Sequence, residues 1–515
     1  MHSSVMITPD LLEQVGLPLV LEACHCRTPQ GSRLKKSVRF YDQNSKEELI
    51  QELTAIDQLA ELVRQKHSQL IEASTQLLRL RELRGTFERL GKGGLLDDTE
   101  FFELKSALTI FNRLSKLTAI QEAASVTFED TSEAAALLNP GAKNSPAFHV
   151  YNEYSPVLAE IRARKKELER QISQSKESKR RSLLGKRALV IAEEDQEEER
   201  IRRELGSKLA QWLPQMQHNT AACGLLDFRL AKADLAVLWD GCMPQLADSD
   251  SPAKLTNLRH PLIAAYLERH GLEFTPISIE LQKGTTILSG ANMGGKSVAL
   301  KTIFLALLIT QLGYFPACES LQTPLYDFLA FESGQEGDIY RGLSSFGLEA
   351  VKIRDHHRRS KTQQGLIVMD EPCKGTNPAE ATAIVNALSK NYAASESSFL
   401  VATHYPVAPQ PGIRYYQVIG IRPDALEQLP GYLHEKQGGG ESESENEPPS
   451  GLASLATPDM REDLTRVRRI QNLMDYRLEE IDGTHAVPSG AIKIAELLGV
   501  DEELIREMKA AWQEE

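Results

Sequence analysis

Residues 290–297, Gly-Ala-Asn-Met-Gly-Gly-Lys-Ser, fit the pattern G-x-x-x-x-G-K-[ST]. Residue types in that order suit the grip of a phosphorylated ligand. Gly290, Gly294 and Gly295 let backbone N–H groups curl around an anion without Cβ clashes, with Asn292 and Met293 between them. A helix beginning at the loop adds its positive end. Lys296 then reaches the β- and γ-phosphates of a nucleoside triphosphate, and the Ser297 hydroxyl ligates Mg²⁺. Gly365-Leu-Ile-Val-Met-Asp370-Glu371 predicts a buried strand ending in two carboxylates. So apolar a strand needs no acids at its end for stability, whereas a magnesium–nucleotide site does. Asp370 is expected to hold the metal, directly or through water. Glu371 is expected to polarise the attacking water as general base. A third run, Ser398–Ala402, leads into Thr403-His404-Tyr405. Its end opens on the same crevice of a wound sheet, which gives His404 a γ-phosphate-sensing role.

A parallel sheet must position these groups. Thr285–Ser289 forms the strand before the loop, and Leu300, Ile303, Phe304, Leu307 and Leu308 mark an apolar helix after it. From about Leu255 onward, such β-rich runs alternate with helical stretches, the pattern of an α/β-wound sheet. A strand over Met474–Ile481 and a helix from about Ala491 close the chain. An acidic low-complexity segment near 436–460 is expected to be a disordered loop.

The preceding part has helical texture. Leu49, Leu53, Ile56, Leu59 and Leu62 share a face, and Leu78–Leu90 and Phe101–Leu117 repeat that spacing around a break at Gly91-Lys-Gly-Gly. Glu160–Arg187 holds eleven Lys/Arg against four Glu, and six acids follow within Glu193–Glu199. This arm is expected to be exposed helix solvated by charge, with its basic half able to track a phosphate backbone. The expected division is a lead-in over 1–40, an all-α domain over 41–255 with its charged arm near 160–200, and an α/β domain over 256–515.

Composition bounds the rest. A chain of 515 residues accommodates about two to four domains. With 41% hydrophobic and 25% charged residues, global disorder is excluded. A net charge of -13, from 59 basic and 72 acidic side chains, excludes coating of nucleic acid over the whole surface but leaves room for a local basic track. Six cysteines imply no disulfide framework, and Cys24-His25-Cys26 lacks a second pair at zinc-finger spacing. The start has no basic segment leading into an apolar one, and Ile303–Leu312 is too short to span a bilayer. A cytoplasmic protein without a membrane partner is expected.

The motifs together resemble those of the MutS family of ABC-type ATPases. Gly290–Ser297 is similar to that family's G-x-N-M-G-G-K-S loop, in which Asn-Met is discriminating. Met369-Asp-Glu-Pro-Cys-Lys-Gly-Thr-Asn377 resembles M-D-E-x-x-R-G-T-S, and Ala402–Tyr405 matches A-T-H-Y. Arg259-His-Pro261 and Phe274-Thr-Pro-Ile-Ser278 resemble the segments that precede the loop. Asp482–Gly490 resembles the family's S-Y-G-I region. More faintly, Leu83–Leu90 and Ala231–Ala236 resemble the family's helical core and lever.

The resemblance implies an α/β P-loop (ABC-type, MutS-like) ATPase domain behind an all-α core/lever domain. It implies ATP with Mg²⁺, and a homodimer or a heterodimer with another MutS-like chain whose nucleotides lie between subunits. Ser344, in Ser344-Ser-Phe-Gly-Leu-Glu349, aligns with the family's signature serine, which contacts the γ-phosphate held by the opposite chain. Phe274 aligns with the residue that packs on adenine. Lys374 stands where the family has Arg, keeping charge but losing the bidentate fork. About 40 residues precede the first core-like helix, so the mismatch-recognition and connector domains are expected to be missing. Phe101-Phe-Glu103 fits the mismatch wedge only formally and belongs to a helical pattern. The expected activity is ATP hydrolysis coupled to double-stranded DNA that is mismatched, branched or distorted. The alternative is an ATP-dependent remodelling or reactivating factor for a cobalamin-dependent aminomutase client.

Overall fold

The computed structural model describes residues 5–142, 147–269, 271–290, 295–333, 345–421, 474–482 and 500–513. It is mixed α/β, with a parallel sheet and a separate helical region. The chain forms two compact units, one of residues 1–22, 39–53 and 238–515, the other of 23–38 and 54–237. This differs from the expected division, because 1–22 and 39–53 join the α/β unit. Val5–Met6 (β1) adds to the main sheet, and helix Pro9–Val15 packs on helix Lys296–Gln311. The Tyr41 N–H donates to the Gln311 carbonyl at 2.8 Å, and Gln43 Nε2 to that of Leu325 at 2.8 Å. A two-residue strand is too short to leave a periodic signal. The acidic segment near 436–460 lies outside the described residues.

The remaining strands are β2 (Gln245–Leu246), β3 (Ala253–Leu258), β4 (Ile277–Leu281), β5 (Gly284–Ser289) and β6 (Ser320–Thr323). They continue with β7 (Phe328–Ser333), β8 (Gly365–Asp370), β9 (Ser398–Ala402), β10 (Ile413–Ile421) and β11 (Met474–Ile481). The main sheet runs β1-β7-β8-β9-β5-β10-β11, parallel except for the antiparallel edge strand β11. A second sheet runs β2-β6-β3-β4.

Every residue of β8 and β9 is buried, as befits central parallel strands covered on both faces. On one face Ile367, Met369, Phe399, Val401 and Tyr392 share a core, with Tyr392 stacked on Phe399 at 4.6 Å. On the other lies helix Lys296–Gln311, which is apolar around nearly its whole circumference and buried accordingly. Its Phe304 meets Phe331 edge-on at 5.2 Å. Among the described residues, no helix is long and apolar enough to cross a membrane.

In the helical unit, the helix expected over Leu78–Leu90 is interrupted. Ser68–Leu77 and Arg84–Gly91 are helical, while the segment between buries Leu80 and Leu83. Gln30 Nε2 donates to the Arg81 carbonyl at 2.9 Å, so a side chain supplies what a helical turn would have supplied. The next helix, Asp98–Leu114, opens with a reciprocal capping box between Asp97 and Glu100. Phe101 is buried on it and stacks on Phe148 at 5.0 Å, as a core residue.

The charged arm is an antiparallel hairpin of Pro156–Gln174 and Glu177–Leu209. Its acidic run folds back on its basic run. Arg162 bridges Glu194 and Glu198 at 3.0 and 2.8 Å, Arg187 pairs with Glu169 at 2.8 Å, and Arg164 and Lys165 pair with Glu193 and Glu194. Lys176, Lys179, Arg180, Arg181 and Lys186, around the turn, are exposed without a carboxylate partner among the described residues.

One buried carboxylate organises the inner end of this unit. Asp227, fully buried on helix Leu213–Leu238, accepts from the Arg27 and Thr28 N–H groups at 3.0 and 2.7 Å and from Thr28 Oγ1 at 2.7 Å. The backbone at Gly31 passes so close that a Cβ there would lie 2.4 Å from Asp227 Oδ2. Asp227→Ala leaves these donors buried and unpaired and is expected to cost about 3 kcal/mol. Urea unfolding followed by far-UV circular dichroism checks this, and Asp227→Asn, which keeps shape and one acceptor, is expected to lose less.

Candidate active site

Three parallel strands end level. Ala402 of β9 is in register with Leu288 of β5 on one side and with Asp370 of β8 on the other. The charged residues of these segments and of the turns that follow them gather at that end, while Thr285, Thr286 and Ser398 are buried toward the other. The phosphate-loop sequence leaves β5 there. Gly290 and Gly295–Ser297 are described, whereas Asn292, Met293 and Gly294 lie outside the described residues, as does Ser344.

Gly295 is left-handed (φ +83°) at the start of helix Lys296–Gln311. A Cβ there would lie 2.7 Å from Cδ1 of Tyr476, a β11 residue packed against the loop's end. Lys296 is buried, with Nζ donating to the Gly290 carbonyl at 2.6 Å and lying 3.6 Å from Glu371 Oε1. Burial pulls its pKa down, partly offset by the Glu371 charge.

Asp370 carries the observation most specific to a cation. Its Oδ1 is buried without a hydrogen-bond partner, and the same carboxylate is hydrogen-bonded to the Ser297 side chain. Burial pushes its pKa up, against that hydrogen bond. A buried carboxylate oxygen left unsatisfied beside a hydroxyl fits a hard divalent cation, which Ser297 and Asp370 would hold.

Glu371 is half-buried. Burial raises its pKa, but its hydrogen bond to Lys374 and the charges of Lys374, Lys296 and His404 outweigh this, so the net shift is downward. The carboxylate is therefore ionised at neutral pH and able to accept a proton. The turn carrying it is unusual, with Glu371 at φ +50° and Cys373 at φ +66°. The Glu371 N–H donates to the Ala402 carbonyl at 2.9 Å, tying this turn to β9. His404, two residues past β9, is exposed with its ring 4.2 Å from that of Tyr405. Phe274 sits half-buried ahead of β4.

The structure thus brings together Lys296, Ser297, Asp370, Glu371 and His404. It adds residues that spacing alone did not reveal. Tyr476 packs against Gly295, and Glu349 of helix Ser345–Ser360 accepts from the Cys373 N–H at 2.8 Å. Glu332, at the end of β7, bridges Lys352 and His356 of that helix at 2.6 and 2.8 Å. The sequence signal for Glu332 is an acid terminating an apolar strand, as in Asp370.

The family model described as MutS domain V matches residues 286–415. Endonuclease MutS2 of Listeria monocytogenes (serotype 4a, strain HCC23) is 33% identical over 233 residues, 44% of this chain and 28% of that protein. Endonuclease MutS2 of Lactobacillus johnsonii is 31% identical over 223 residues, 42% of this chain and 27% of that protein. The protein of the same name from Lacticaseibacillus casei is 32% identical over 208 residues, 40% and 26% of the two chains. The chain spans under a third of the length of these relatives. Over residues 286–415, which include Lys296, Asp370 and Glu371, the chain thus carries a domain of the MutS domain V family.

Proposed function

We propose that this chain binds and hydrolyses ATP as a MutS-like dimer that works on double-stranded DNA of mismatched, branched or distorted form. The observation that carries the hydrolytic part is the unsatisfied Asp370 oxygen beside Ser297, level with Lys296 and an ionised Glu371. Bound Mg²⁺ would supply charge neutralisation at the β- and γ-phosphates. Lys296 is placed to exchange its Gly290 and Glu371 partners for phosphate oxygens. Glu371 accepts a proton from water, and Lys374 holds its carboxylate in orientation. His404 stands at the same strand end, where a γ-phosphate is sensed. By resemblance, Phe274 packs on adenine, and Ser344 serves the nucleotide held by the opposite chain, either an identical copy or another MutS-like protein.

The DNA part is supported by the arm. Ion pairs along the hairpin consume Arg162, Arg164, Lys165 and Arg187, leaving five exposed cations around its turn. Charge concentrated at one end suits contact with a phosphate backbone and reads no sequence.

Lys296→Ala is expected to abolish ATP binding in calorimetry. Glu371→Gln is expected to keep binding and lower phosphate release by about 10²–10³-fold. Retained binding in the first variant, or undiminished turnover in the second, contradicts the site.

Replacing Lys179, Arg180 and Arg181 together by Ala should weaken binding to a branched duplex at least about tenfold at low salt and flatten its salt dependence by about 2–3 in log–log slope. Basal ATP hydrolysis should stay unchanged. An ATPase that binds no duplex at low ionic strength, with or without ATP, would point instead to a protein client such as an aminomutase.

A further inference from the structure

The turn that carries Glu371 holds two non-glycine residues in left-handed conformation, Glu371 and Cys373. Such a conformation is costly for a residue with a Cβ and persists only where its surroundings over-determine it. The restraints on this turn come from both sides. On one side the Glu371 N–H is bound to the Ala402 carbonyl at 2.9 Å, and the Thr376 N–H to the Cys373 carbonyl at 3.2 Å. On the other, the buried Cys373 presents its N–H to Glu349 Oε1 at 2.8 Å.

Glu349 reaches this N–H because its helix is fixed in place. One and two turns further along, Lys352 donates to Glu332 Oε2 at 2.6 Å, and His356 Nε2 lies 2.8 Å from Glu332 Oε1. Glu332 pairs in register with Met369, one residue before Asp370. Helix Ser345–Ser360 is therefore anchored to the end of β7, beside the strand that bears the carboxylates. Without the Glu349 oxygen, the Cys373 N–H is left buried and unsatisfied. The turn then gains by relaxing toward right-handed backbone, which carries the Glu371 carboxylate away from Lys296.

We infer that Glu349 is a positioning residue, whose carboxylate holds the Cys373 N–H and thereby sets the place of Glu371 for hydrolysis of a nucleoside triphosphate. This rests on the reading of Glu371 as general base. Glu349 itself touches neither phosphate nor water in this role, so it governs turnover and leaves nucleotide affinity alone.

The test uses the full chain with Glu349→Ala and Glu349→Gln, since glutamine retains the accepting oxygen. Three measurements are made: ATP affinity by calorimetry, single-turnover phosphate release, and hydrogen exchange of the peptide spanning 371–376. In Glu349→Ala, release should slow about 30–100-fold with affinity within threefold, in line with the effect of misplacing a reacting group by about 1 Å. Exchange at Cys373 should quicken at least about tenfold, while Glu349→Gln should stay within threefold of the parent in all three. Unchanged exchange in Glu349→Ala overturns the anchoring. Equal losses in both variants, or affinity falling in step with turnover, overturn the positioning role. A parent protein that hydrolyses nothing defeats the general-base reading, and exchange at Cys373 still decides whether Glu349 holds the turn.

Discussion

The approach of the Lys296 ammonium to the Glu371 carboxylate depends on β5, β9 and β8 ending at one level. Parallel pairing sets that level, since Leu288, Ala402 and Asp370 share a register line. A slip of one residue in β8 would turn Asp370 to the opposite face and move the following turn by about 3.3 Å. Two buried faces make such a slip costly, because it would exchange the packing of every side chain on the strand. The site's precision is thus inherited from the apolar cores on either side of the sheet, and the polar residues add the chemistry.

The local charges then act in opposite directions on adjacent carboxylates. Asp370 is pushed up by burial, whereas Glu371 is drawn down by two lysines and His404 despite its own burial. Neighbouring acids of the same strand end are thereby shifted in opposite directions. Lys374 contributes to this as a point charge, without the planar fork of an arginine.

Much of this was legible beforehand because the central strands are short runs rich in β-branched and apolar residues, bounded by glycine or polar residues. Residues 285–289, 365–370 and 398–402 could hardly be anything else. The apolar helix after the loop was equally plain. What stayed hidden depends on contacts between distant residues. The pair Val5–Met6 becomes a strand only because β7 offers an edge. Leu80 and Leu83 keep a helical spacing while lying in the turn and loop between two helices, since burial of leucine is indifferent to the backbone beneath it. Tyr476 and Asp227 are single residues with no pattern around them, Glu349 lies in the Ser344–Glu349 motif without its partner being readable there, and the contacts of all three are with residues 24 to 200 positions away in sequence. Nor does spacing show against which residues the acidic run near 193–199 lies. Folded back, it neutralises the hairpin's stem and concentrates positive charge at the turn.

That hairpin carries an implication for how the arm can vary in length. Its ion pairs join residues that advance along one helix as they recede along the other, from Arg162 with Glu194 to Glu169 with Arg187. Removing a residue from only one helix would shift every later partner by about 100° around the axis and set like charges side by side. Viable insertions and deletions must therefore come as matched changes in both helices, in whole turns. Evolution can shorten or extend the reach of this arm in steps, but cannot trim one leg alone.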